Sequence, residues 1–173
     1  MFLDSSNFLK IMVERYIDRA AADAFFQADG HEVEASIFLR GVSAYDAFQR
    51  WNDRCWYDDN DTVKHIVVSA GSSRDTVHGK ERVTSVAVPG GGSANDDDRI
   101  GSVHFKLVDQ GMWLEGYHAM VSFIPDRGNT FDTLVVWSVK FDPSRTSVLL
   151  CCGGTMLRML MRNHMHRQLQ RMH

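Results

Sequence analysis

The chain has 173 residues, 44% of them hydrophobic and 24% charged, with a formal net charge of −3. These values fit one globular domain with a sizeable core, and the slight acid excess argues against a nucleic-acid partner, which asks for a basic face. Three cysteines, two of them adjacent (Cys55, Cys151 and Cys152), do not form a disulfide framework and read as reduced thiols in an intracellular, cytoplasmic setting.

Residues 5–28 carry apolar side chains every three to four positions, which predicts an amphipathic helix with Asp4 or Ser5 at its start and Gly30 at its end. The segment ahead of it meets acid at Asp4 and lacks a basic region, so no secretory signal is expected, and no apolar run approaches the ~20 residues of a membrane span. The helix stripe needs a cover: the outer side of a sheet, where Met120 and Ile124 offer apolar area, a second copy of the chain, or a protein partner.

EVEASIFLR (32–40) reads as a first strand, and Ser43 then caps a short helix, AYDAFQRW, with Asp46 as the acid three residues on. Asn52 to Asp61 is polar with aromatic insertions, a loop or helical turns. VKHIVVSAG, SSRDTVHG, KERVTSVAVP and IGSVHFKLVD follow as strands, and the third is parted from the fourth by the glycine-rich turn PGGGSANDDDR (89–99). Two longer segments, Met112–Pro125 and Phe131–Asp142, flank DRGN as a hairpin. Phe131, Thr133, Val135, Trp137, Val139 and Phe141 share one face of its second strand, and Tyr117, Ala119, Val121 and Phe123 share one face of the first.

After Pro143 the repeat becomes helical to about residue 170, with Ser144 or Asp142 as cap and Gly153-Gly154 as a kink or break. Strands separated by turns rather than helices predict an α+β fold with an antiparallel sheet of about seven strands, its greasy hairpin face covered by the long C-terminal helix.

This order resembles the helix-grip fold of the START, Bet v 1 and polyketide-cyclase superfamily over residues 32–172. LEGYHAMVSFIPDRGNTFDTLVVWSVKFDP looks like the family's final hairpin, and GSSRDTVHGKERVTSV looks like its Gly-x-x-Arg strand and the Glu-Arg strand after it. The resemblance implies a domain over 31–173 with a separate N-terminal helix over 1–30. It also implies a hydrophobic cavity for a lipid, sterol or polyketide-like molecule.

Among members the abscisic acid receptors are similar in these segments. Carried over by position, Lys64 falls at a pocket lysine, Glu81 at a pocket glutamate and Tyr117 at a pocket tyrosine. The receptors' proline-containing gate and their latch tripeptide have no counterpart, because Gly79 runs straight into Lys80-Glu81 and Gln110–Trp113 stands at the latch. Inward parity together with the resemblance adds Trp137, Leu157, Leu160 and Met161 to the expected lining.

No catalytic residue, metal site or cofactor is assigned: HExxH, paired CxxC, GxSxG, P-loop and Rossmann patterns are all missing. Three readings stay open. They are a non-catalytic binding or transfer protein, a cyclase/dehydratase-type enzyme using Tyr117, Glu81 or Lys64, and a structural subunit docked through its N-terminal helix.

Overall fold

The structure is a computed structural model that describes residues 13–57, 67–90, 99–109, 113–126, 132–150 and 154–173. Its elements are α1 (Arg19–Gln27), β1 (His31–Leu39), α2 (Ala44–Trp51), a π-helical turn (Asn52–Trp56), β2 (Ser73–Thr76), β3 (Gly79–Ala87) and β4 (Gly101–Leu107). Then come β5 (Leu114–Pro125), β6 (Thr133–Pro143), α3 (Arg145–Leu150) and α4 (Thr155–Gln170).

The strands form one antiparallel sheet in the order β1-β6-β5-β4-β3-β2. The hairpin around which the sheet is built is β5–β6, with Val121 opposite Trp137 and Phe123 opposite Val135. Two register shifts curve it. One lies between Val83 and Ser85 and the other between Glu115 and His118. The second is built on Gly116, whose φ of +59° suits a residue without a Cβ. Such bulges bend the sheet, and a bent antiparallel sheet can wrap a helix. The result is the helix-grip arrangement expected above, α+β with a C-terminal helix and an N-terminal one.

Among the described residues the strand count is six rather than about seven. The difference falls on VKHIVVSAG: Val67 to Ser69 have no strand pairing, and residues 58–66 lie outside the described residues. Val68 instead donates its amide to the buried Asn52 Oδ1 at 2.8 Å, a local bond that takes the place of a ladder. The C-terminal helix is divided, as the paired glycines suggested. Gly154 stands at the start of α4 with φ +80°, and Ser144 caps α3 by accepting the Ser147 amide at 3.2 Å.

The helix expected over 5–28 is broken within the described residues: 13–15 are helical, and α1 begins again at Arg19. Its stripe is interrupted at Tyr16, which forms a parallel bridge to Ile100, with Ile17 N donating to Ile100 O and Ile100 N to Arg15 O, both at 3.1 Å. Asp18 then caps α1 by accepting the Ala21 amide at 3.0 Å. Backbone pairing to the start of β4 wins over helix continuation there. Residues 1–12 lie outside the described residues.

Most of the described part of the stripe is covered by its own chain, with Ile17 left 37% exposed. Tyr16, Ala22 and Phe25 pack with Ile100 and Met120 on the outer face of the sheet, with Ile124 and Phe26 at the margin. Polar groups under α1 are paired: Tyr16 Oη with Ser122 Oγ at 3.0 Å, His104 Nε2 with Ser102 Oγ at 3.1 Å, and Ser85 Oγ with Asp18 Oδ2. Lys140, buried in the middle of β6, donates from Nζ to the carbonyls of Phe26 (2.7 Å) and Ala28 (3.0 Å). A cation at the end of a helix answers the carbonyls that the helix leaves unpaired.

Candidate ligand-binding site

The inner face of the sheet carries the main core. Phe105, Phe123 and Trp137 meet α2 and the π-helical turn through Trp51 and Trp56, at ring-centroid distances of 5.3 to 6.5 Å. α4 lies over this face and is held at its middle and at its C-terminal end. Arg162 Nε donates to Glu34 O on β1 at 3.2 Å, while Arg50 and Arg54 donate to the last carbonyls of the chain, those of Met172 (3.0 Å), Arg171 (2.8 Å) and His173 (3.1 Å). These arginines occupy acceptors that a helix C-terminus cannot satisfy itself.

Between α4, the π-helical turn and the β2 edge of the sheet the aromatic packing stops short. A cavity of about 730 Å³ opens there, within the ~300–1,000 Å³ usual for small-molecule sites. Trp56, Trp137, Tyr117 and Met161 supply its apolar wall. Val77, at the tip of the β2–β3 turn and 83% exposed, belongs to its rim, as do His78 and His164.

Its polar part includes an ion pair between a partly exposed guanidinium and a buried carboxylate. Arg74 Nε donates to Glu81 Oε2 at 2.7 Å. The same guanidinium donates to the carbonyls of Cys55 and Trp56 and lies 4.3 Å from the centroid of the Trp56 ring. The local sequence explains the pair. SRDT-VH-GKER is a hairpin with a two-residue turn, and its register sets Arg74 directly across from Glu81.

Tyr117 lies against the Glu81 carboxylate. Burial, and then that carboxylate, hold its phenol well above the usual tyrosine range, so it keeps its proton. His78 and His164 meet edge to face at 6.1 Å, and burial lowers the pKa of both. Cys55 is no nucleophile: burial pushes its thiol up to about 12, and its Sγ donates to Gln168 O at 3.2 Å.

The residues expected from the sequence are placed as follows. Glu81, Tyr117, Trp137 and Met161 line the cavity together. Leu157 is buried in the core beside it without lining it. Leu160 does not line it and is 49% exposed. Successive helix residues turn by about 100°, so the two inward positions Leu157 and Met161 leave Leu160 pointing out. Lys64 lies outside the described residues, and Glu81 pairs with Arg74.

Arg74, His78 and His164 were missed. The signal for Arg74 was the hairpin register. His164 gave none, because its partner His78 comes from an element far off in sequence.

No protein-family model and no curated protein matches the sequence. Solved structures do match. A hypothetical protein from Helicobacter pylori superposes with a TM-score of 0.57 at 8% identity, over 87% of this chain and 90% of its own. A START superfamily protein from Mycobacterium smegmatis matches with a TM-score of 0.43 at 13% identity, over 83% of this chain and 100% of its own. A major latex protein from Arabidopsis thaliana matches with a TM-score of 0.39 at 13% identity, over 81% and 94%. At such identities a likeness speaks for the fold alone. The fold shared with the Helicobacter pylori protein is a curved antiparallel sheet gripping a C-terminal helix.

Proposed function

We propose that the protein binds or transfers a lipophilic small molecule, a lipid, sterol or polyketide-like compound, in the cavity between sheet and C-terminal helix. In this reading residues 31–173 form the binding domain and the N-terminal segment closes its back. The observation that carries the proposal is the cavity of about 730 Å³, in which an apolar wall of Trp56, Trp137 and Met161 faces a polar side formed by the Arg74–Glu81 pair with Asp75, His78, His164, Gln168 and Arg171. An apolar wall with a few fixed polar groups orients a greasy ligand by its one polar end.

The arrangement favours recognition over proton transfer. Arg74 is engaged by Glu81 and two carbonyls, and Tyr117 holds its proton against the same carboxylate. A purely structural role gains nothing from a void of this size, since empty apolar space forfeits packing contacts.

The test uses cis-parinaric acid, a fluorescent fatty acid excited by energy transfer from tryptophan. The wild-type chain takes up the probe saturably, one per chain, with quenching of tryptophan emission. Met161→Phe narrows the cavity and weakens uptake, while Tyr117→Phe keeps the volume and retains it. No saturable uptake by the wild type, or equal uptake by Met161→Phe with an unchanged melting temperature, would refute the assignment.

A further inference from the structure

The outward face of α4 has an unusual composition for a surface helix. Leu157, Met161, Met165 and Leu169 point to the core, so the opposite face should be polar. Over the last two turns it is, with Asn163 and Arg167 in place. Over the first two turns it carries Met156, Met159 and Leu160, which are 44%, 57% and 49% exposed. The three sit at spacings of three and four and form one patch.

The segment that carries this patch has charge of one sign, while the exposed acids Asp142 and Glu115, paired across β5–β6, stand beside Pro143, which approaches Gly154 at the start of α4. Residues 143–173 contain five arginines (145, 158, 162, 167 and 171) and no aspartate or glutamate, although the whole chain is acidic at −3. Arg162 and Arg167 are exposed on α4 itself. The acids on the neighbouring strand, Glu32 and Glu34, alternate with the inward Val33 and Ala35 and so face the other side of the sheet. The side chain of Glu34 accepts from Ser138 there, at 3.4 Å.

Exposed flexible apolar side chains framed by arginines on a helix are the chemistry of an interfacial helix. We propose that the first two turns of α4 dock on an anionic lipid surface, with Met156, Met159 and Leu160 entering the headgroup boundary and the arginines meeting lipid phosphates and carboxylates. The charge balance selects this occupant over a second copy, because pairing two α4 faces would bring like-charged arginines together. His164, on the cavity rim, follows Leu160 by one turn, so docking sets the cavity mouth beside the lipid surface. The inference goes beyond the binding proposal and does not depend on it.

Flotation with vesicles of phosphatidylcholine, and of phosphatidylcholine and phosphatidylserine in a three to one ratio, tests it on the full chain. Binding to the mixed vesicles exceeds that to the neutral ones and falls with added salt. Arg167→Gln lowers it by about fivefold, the effect of one arginine near such a surface. Met159→Glu lowers it to the level of neutral vesicles while leaving the urea midpoint unchanged, since Met159 is exposed. Equal binding to both vesicle types, wild-type binding by Met159→Glu, or a dimer in light scattering that Met159→Glu splits would each overturn the proposal. Parinarate uptake is measured on the same variants. Its retention in Met159→Glu separates a failure of docking from a failure of the cavity.

Discussion

The two faces of the sheet are built from the same strands and solve the same problem differently. On the outer face of β4–β6, Ser102, His104, Ser122 and Lys140 are buried under α1, and each has a partner at hydrogen-bond distance. On the inner face, large aromatic rings dominate, and the polar groups gather at the edge of a void. A paired polar group sealed under a helix serves the fold. A polar cluster beside unfilled apolar space is where a ligand can be read. In the proposed reading the back of the sheet serves stability and the front serves binding.

The sharpest way to break it is to damage the inner core. Phe105 packs against Trp51, Trp56 and Trp137. Phe105→Ala leaves a cavity and costs about 4 kcal/mol in urea unfolding.

The ion pair comes next. Glu81→Ala strands the guanidinium of Arg74 and costs about 3 kcal/mol, whereas the double variant Arg74→Met/Glu81→Ala recovers part of that loss. Recovery in the double variant shows that the single loss comes from the uncompensated charge. A double variant as weak as the sum of both singles contradicts the pairing.

Sequence and structure agree on what period and turn chemistry can encode. The hairpin, the capped helix from Ser43 and the division at the paired glycines all rest on such local signals. Ser43 Oγ accepts the Asp46 amide at 3.1 Å, the first bond of a capping box, and donates to the Asp46 carboxylate at 2.7 Å. The looser alternation of β5 also has a cause. α1 buries Met120 and Ser122 on the outer face, so both faces of that strand are covered. What the sequence hid depends on partners distant in the chain: the bridge from Tyr16 to Ile100 and the meeting of His78 with His164. The orientation of Leu160 is the exception, since helical phase alone could have placed it outside.

The outer face makes its own prediction about pH. Burial lowers the His104 pKa to about 4, against ~6.5 in the unfolded chain. The unfolded state therefore binds the proton first. The stabilisation is complete above pH ~6.5, declines as pH falls, and is exhausted below pH ~4, a loss on the order of 2–3 kcal/mol. His104→Gln flattens the melting temperature across that range. A wild-type profile that His104→Gln does not flatten removes His104 as its source.

A smaller effect belongs to Lys140. Lys140→Met removes the donor to the last carbonyls of α1 and costs about 1–2 kcal/mol. Parinarate uptake is retained, because the change lies on the back of the sheet.

The most direct test of the division between faces is the amide and indole NMR spectrum on addition of cis-parinaric acid. The account predicts shifts at Arg74, Glu81, Tyr117, Met161 and the Trp56 and Trp137 indoles. It predicts none at Ser102, Met120 or Ser122. Shifts concentrated on the outer face, or confined to Met156, Met159 and Leu160 with the indoles unmoved, would contradict it.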